Sequence, residues 1–315
     1  MKSSLVLLFG IILSLIQLSA NTAYSQQTIT RTMHFGGKER VYVVHTPPQS
    51  KPTSKLPCVL ALHGGGGKAE QFSTFVGMNE VADAEGFVVA YPQGIVKRKF
   101  GYGWNDGRVV TTNDEKDLDD VAFLSALVDT LSAQFGIDTK RVYATGMSNG
   151  GFMAGRLACE LSNKIAAVAI VTASRAIDQD CSPSRPVPVM ILNGTADPLV
   201  PYNGGKMVNV KDVEATILST DSLVNFWRCV NKCSTIPVTK DFPDINRGDK
   251  STVTSFLYVG QGADVLLYKV QGGGHTWASS GNQFLYGLIA GATNNDISAS
   301  TEIWAFLRKY SIKYK

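Results

Sequence analysis

At 315 residues, 44% hydrophobic and 18% charged, the chain has the composition of a globular protein with one sizeable domain or two small ones, which excludes a disordered or fibrous chain. The formal net charge of +4 is spread without a dense basic block. Nucleic acid is therefore not an expected partner.

In chain order, Lys2 precedes an apolar run from Leu5 to Ile16, followed by "LSANTAYSQQ", where Ala23 and Ser25 suit a signal-peptidase site. Residues 1–25 read as a secretory leader, which predicts a secreted or periplasmic protein. An uncleaved anchor is the rival reading, but the run is shorter than the roughly 20 residues a spanning helix needs. No later stretch is long and apolar enough to span a membrane. Five cysteines in an exported chain allow at most two internal disulfides. Cys58, inside "LPCVLAL", reads as the odd one out, and a structural disulfide is expected among Cys159, Cys181, Cys229 and Cys233 with the pairing open. "RCVNKC" lacks the second pair or nearby histidine that would complete a metal site.

"TRTMHFGGKERVYVVHTP" alternates apolar and polar residues around Gly36-Gly37, the pattern of an antiparallel hairpin. Short apolar strands then alternate with helical patterns: "CVLALHG", "GFVVAYP", "RVYATG", "AAVAIVTA", "PVPVMILNG" and "DVLLYKVQGGG". That rhythm predicts an α/β fold, a largely parallel sheet with helices on both faces. The clearest helix follows "DLDD": Asp119 or Asp120 caps it, Val121, Leu124, Leu127, Val128, Leu131 and Phe135 share a face, and Gly136 ends it. Others run through "DSLVNFWRCV" and "SASTEIWAFLRKY", the latter with Ser298 or Ser300 as cap. No internal repeat or dividing linker is visible, so residues 26–315 are expected to form one domain.

"GMSNG", Gly146 to Gly150, fits G-x-S-x-G between the strand "RVYAT" and the helical "FMAGRLACEL". A strand-to-helix turn this tight projects the serine hydroxyl free, and the two glycines leave it room. An ordinary cap serine is the alternative reading of Ser148. A serine nucleophile needs a base, and the chain has four histidines. His34 and His45 belong to the hairpin and read as surface or edge-strand residues, away from the carboxyl ends of the parallel strands where α/β sites form. His63 precedes the serine and opens a glycine run. His275, in the flexible "QGGGHTW" loop after the last strand, is the expected base. Asp197, in "NGTADP", follows a strand and falls between Ser148 and His275, with Asp264 as the fallback acid. "HGGGG", His63 to Gly67, offers a side-chain-free loop for the oxyanion. Gly65 and the amide of Asn149 are the expected donors. A phosphate loop is excluded, because Lys68 is followed by Ala69 where a Ser or Thr would hold magnesium.

With these segments placed, the sequence resembles the secreted polyhydroxybutyrate depolymerases and feruloyl or acetylxylan esterases among the α/β-hydrolases, carbohydrate esterase family one in the broad sense. The likeness runs from "RVYVVHTPP" to "EIWAFL". It implies a Ser148 nucleophile, an Asp197 acid, a His275 base, oxyanion donors near Gly65 and at Asn149, and no metal or organic cofactor. It also implies that Trp104 in "GYGWND" and Trp277 wall the acyl or leaving-group pocket; by residue chemistry alone both could equally be buried structural residues. Polymer-degrading members carry a Ser/Thr-rich linker and surface-binding module that is not seen after residue 315, which turns the expectation toward soluble plant-polysaccharide esters. Polyhydroxyalkanoate oligomers are the alternative substrate. A peptidase of the prolyl-oligopeptidase kind would need a large N-terminal propeller, and a non-catalytic binding protein on this fold would be expected to have lost part of the Ser148, Asp197, His275 set.

Overall fold

The structure is a computed structural model that describes residues 26–48, 55–98, 101–108, 118–207, 215–280 and 289–313. The expected leader, 1–25, lies outside them.

The chain opens with the hairpin expected from its alternation: β1 (Gln27–Phe35) pairs antiparallel with β2 (Lys38–Thr46) across Gly36-Gly37, both at positive φ. Then follow β3 (Cys58–Leu62), α1 (Ala69–Phe75), α2 (Met78–Glu85), β4 (Val88–Pro92), a small hairpin of β5 (Val96–Arg98) and β6 (Gly101–Gly103), and α3 (Asp120–Phe135). The nucleus of the fold is β7 (Val142–Met147), α4 (Asn149–Glu160), β8 (Ala167–Val171) and β9 (Val189–Gly194). The short pair β10 (Gly205–Lys206) and β11 (Thr216–Ile217) precedes α5 (Thr220–Val230). Three strands, β12 (Val238–Asp241), β13 (Thr252–Tyr258) and β14 (Val265–Gln271), and the helix α6 (Ala299–Leu307) complete it.

Among the described residues ten strands form one sheet in the order β1-β2-β4-β3-β7-β8-β9-β14-β13-β12. The six from β4 to β14 run parallel, and an antiparallel pair flanks them on each side. Every residue of β3, β4, β7, β8 and β9 is buried, as strands covered on both faces must be. Side-chain alternation divides the interior into two cores. Cys58, Leu60 and Leu62 of β3 pack toward α3, α4 and α5, whereas Val59 and Ala61 pack toward α1, α2 and α6. The helix ends follow the expected chemistry: Asp119 Oδ1 accepts the Ala122 amide at the start of α3, Gly136 closes it in the left-handed region, and Ser219 and Ser298 cap α5 and α6.

Two expectations are refined. Asp120, the alternative cap of α3, is instead fully buried against Arg40, with Nη2 to Oδ1 at 2.7 Å. The disulfide joins Cys159 to Cys181; Cys58 is free and buried, and Cys229 and Cys233 are free. No helix of the described residues is long and apolar enough to cross a membrane.

Candidate active site

Ser148 sits at the junction of β7 and α4 with φ 56° and ψ −123°, a conformation that is a genuine outlier for a residue with a side chain. It is held there from both sides. Its amide donates to Val171 O at 3.0 Å and its carbonyl accepts from the Phe152 amide at 2.9 Å. A β-carbon on Gly146 would stand 2.4 Å from Gly150 O, and one on Gly150 would stand 2.1 Å from Leu62 O, so neither position admits a side chain. The Ser148 hydroxyl makes no capping hydrogen bond to α4, and the residue is half-exposed. The cap alternative therefore does not describe this serine.

Asp197 follows β9 and His275 follows β14, strands that are hydrogen-bonded neighbours, so both loops emerge at the same carboxyl edge as Ser148. Backbone bonds fasten one loop to the other: Ala196 N to Gly273 O at 2.9 Å and Thr195 N to Val270 O at 2.9 Å. A β-carbon on Gly194 would meet Gly273 O at 2.2 Å, which accounts for glycine where the loops cross. Asp197 Oδ2 lies 2.7 Å from His275 Nδ1, while Oδ1 accepts the amides of Leu199 and Val200, both at 2.8 Å. The carboxylate is thereby aimed by the backbone, and the ring nitrogen facing it must carry a proton. Nε2 is left for chemistry. Among the described residues no hydrogen bond joins His275 Nε2 to Ser148 Oγ, and serine–base contacts are commonly loose without substrate.

The glycine loop lies against the elbow. A β-carbon on Gly64 would sit 3.5 Å from Ser148 Cβ, and one on Gly65 3.7 Å from Asn149 Cβ. The amides of Gly66 and Gly67 are taken by Tyr102 O at 2.7 Å and Gly64 O at 3.0 Å. The amide of Gly65 has no acceptor among the described residues, and neither does that of Asn149 at the first turn of α4. His63 does not reach Asp197 or Ser148. Nδ1 faces Gly64 O at 2.8 Å and must donate; Nε2 faces the Gly94 amide at 3.0 Å and must accept. Burial holds this imidazole neutral, its pKa lowered to about 4.

Trp104 and Trp277 are both fully buried, so the structural alternative describes them and the pocket-wall reading does not. The Trp104 indole donates to His63 O at 2.9 Å and the Trp277 indole to Ser300 Oγ at 3.1 Å. Asp264 accepts the Gly260 amide and the Tyr310 hydroxyl, away from His275. His45 is buried rather than a surface residue: Nδ1 faces Thr28 Oγ1 at 2.8 Å and Nε2 faces Asp83 Oδ1 at 2.9 Å. This Thr–His–Asp line has no strained elbow and no free glycine amides around it. It ties the first hairpin to α2. Groups that sequence reasoning missed are Asp106 and Arg108, which join the Asn149 side chain in a buried ionic cluster.

The family model described as esterase PHB depolymerase matches residues 40–215. A protein named "Putative esterase NocK", from Nocardia uniformis subsp. tsuyamanensis, is 30% identical over 290 residues, covering 89% of this chain and 82% of that protein. Feruloyl esterase B of Piromyces equi is 29% identical over 240 residues, 75% of this chain and 42% of that one, so the chain spans less than half of that relative. Among solved structures, an acetyl xylan esterase from Aspergillus awamori aligns with a TM-score of 0.55 and 14% identity over 79% of this chain and 94% of that one, a likeness of fold.

Proposed function

The chain belongs to the esterase PHB depolymerase family and is a carboxylic ester hydrolase, and on that premise we propose that it works through an acyl-enzyme on Ser148. Ser148 Oγ attacks the ester carbonyl while His275 Nε2 takes its proton. The charge that develops on the carbonyl oxygen is met by the amides of Gly65 and Asn149. Asp197 keeps Nδ1 of His275 protonated and stabilises the imidazolium. His275 then returns the proton to the leaving alcohol, and water, activated by the same nitrogen, releases the acid. The observation that carries this reading is the 2.7 Å contact of Asp197 with His275 at the sheet edge where Ser148 is held strained.

The proposed substrates are feruloyl or acetyl esters of plant polysaccharide, the feruloyl reading supported by the name of the Piromyces relative, with hydroxyalkanoate oligomers as the second reading, supported by the family. The proposed catalytic unit is residues 26–315, acting outside the cytoplasm. The Cys159–Cys181 disulfide suits that compartment. Release of acid from acetylated xylan, feruloylated arabinoxylan and hydroxybutyrate oligomers, measured side by side, tests the substrate. Turnover of either xylan ester above the oligomers is expected; the reverse order would overturn the polysaccharide assignment. Ser148→Ala is expected to lose all hydrolysis of a short-chain aryl ester while remaining folded.

A further inference from the structure

Trp104 hydrogen-bonds both segments that carry the proposed oxyanion donors. Its indole Nε1–H donates to His63 O at 2.9 Å, at the root of the glycine loop. Its backbone grips Asn149: the Trp104 amide donates to Asn149 Oδ1 at 2.6 Å, and Asn149 Nδ2 donates to Trp104 O at 3.1 Å. The segment continues this on either side. Tyr102 O accepts the Gly66 amide at 2.7 Å, and Asp106 Oδ2 accepts from Asn149 Nδ2. Arg108 holds Asp106 through Nε and Nη2, its guanidinium 3.8 Å above the Phe152 ring of α4. The fit admits no extra atom, for a β-carbon on Gly103 would lie 2.5 Å from Asn149 Oδ1.

The Asn149 side chain has two donor hydrogens and one carbonyl, and this segment engages all of them. The indole is fully buried, so it offers no face to a substrate. What the arrangement does is fix a distance. Gly65 and Asn149 lie on different elements, 84 positions apart in the chain, with no covalent restraint between them. Donors stabilise a developing oxyanion only when they are already in place, and an error of about 1 Å in such a site can cost up to ~100-fold in rate. We propose that Trp104 is a positioning residue, a buried splint that holds the Gly65 loop and Asn149 at one fixed separation. This rests on the reading that those two amides are the oxyanion donors.

Two variants test it. Trp104→Phe keeps an aromatic ring and removes the indole donor; Asn149→Ala keeps the backbone amide and removes both bonds to Trp104. Steady-state hydrolysis of p-nitrophenyl acetate is measured for each and for the double variant, with active enzyme counted by fluorophosphonate titration. Each single variant is expected to lower kcat at least about tenfold with KM within about twofold, because the loss is in the transition state. Since both cut the same splint, the double variant is expected to lose far less than the product of the two losses. Wild-type kcat in Trp104→Phe would overturn the proposal, as would a raised KM with kcat unchanged, or losses that simply multiply. Should Trp104→Phe not fold, a wild-type kcat in Asn149→Ala overturns it by itself. Turnover retained in Ser148→Ala would instead sink the underlying reading; an inactive Ser148→Ala beside a wild-type Trp104→Phe sinks only the splint.

Discussion

His63 is 1% exposed, and its neutral form is built into the start of the glycine loop through Gly64 O and the Gly94 amide. Its pKa falls from 6.5 to about 4 because burial penalises the charged ring. Unfolded chains therefore bind a proton at this position between pH 6.5 and about 4 that the folded protein does not, so this contribution to stability grows as pH rises through that window. It is fully present above pH 6.5 and lost below about pH 4, at most about 3 kcal/mol. Urea denaturation at pH 7, 5.5 and 4 is expected to show a steeper acid loss for the wild type than for His63→Gln, which cannot charge; parallel losses would contradict it. The sequence showed His63 only as a histidine in the wrong order for a base. Its role is set by Gly94, 31 positions away, a partner that no local pattern announces. The Trp104 contacts to His63 and Asn149 were hidden for the same reason. Ser148, Asp197 and His275, by contrast, were legible because each follows an apolar strand, and the end of a parallel strand predicts where a residue will lie.

At the scale of elements, the same logic separates what could be read from what could not. The buried strands are continuous apolar runs, and α3 carries its cap, stripe and terminating glycine in order. The outer strands β12 and β13 went unread: β12, "VTKD", is exposed throughout, and β13 is only partly buried, so neither has the apolar run of a covered strand. By sequence the first residue of α3, Asp120, reads only as an alternative cap of that helix. Instead Asp120 is enclosed with Arg40, which stacks 3.5 Å over Phe123, and it also accepts the Asn105 amide at 2.9 Å. Removing one partner strands a buried charge. Asp120→Ala is expected to cost about 3–5 kcal/mol in a urea unfolding experiment, whereas Arg40→Met combined with Asp120→Leu recovers most of it. A loss below about 1 kcal/mol in the single variant would show that Arg40 finds water or another partner.

Across the whole molecule, six parallel strands deliver three loops to one edge of the sheet, and the antiparallel pairs at either side leave that edge undisturbed. The loop after β7 brings a strained serine, the loop after β9 a carboxylate aimed by two amides, and the loop after β14 an imidazole bonded to it. The order serine, acid, histidine along the chain is thus also the order of β7, β9 and β14 across the sheet, with β8 between the first two. Fold likeness to other esterases leaves the acyl and alcohol groups to be decided by the loops around this edge. The claim on which everything else depends is that Ser148 is the nucleophile. A fluorophosphonate probe, followed by peptide mass mapping, tests it most directly. One adduct per chain is expected, on the peptide containing Ser148, absent in Ser148→Ala and formed far more slowly in His275→Ala. An actively hydrolysing wild-type protein that stays unlabelled, or carries its adduct on another residue, would contradict it.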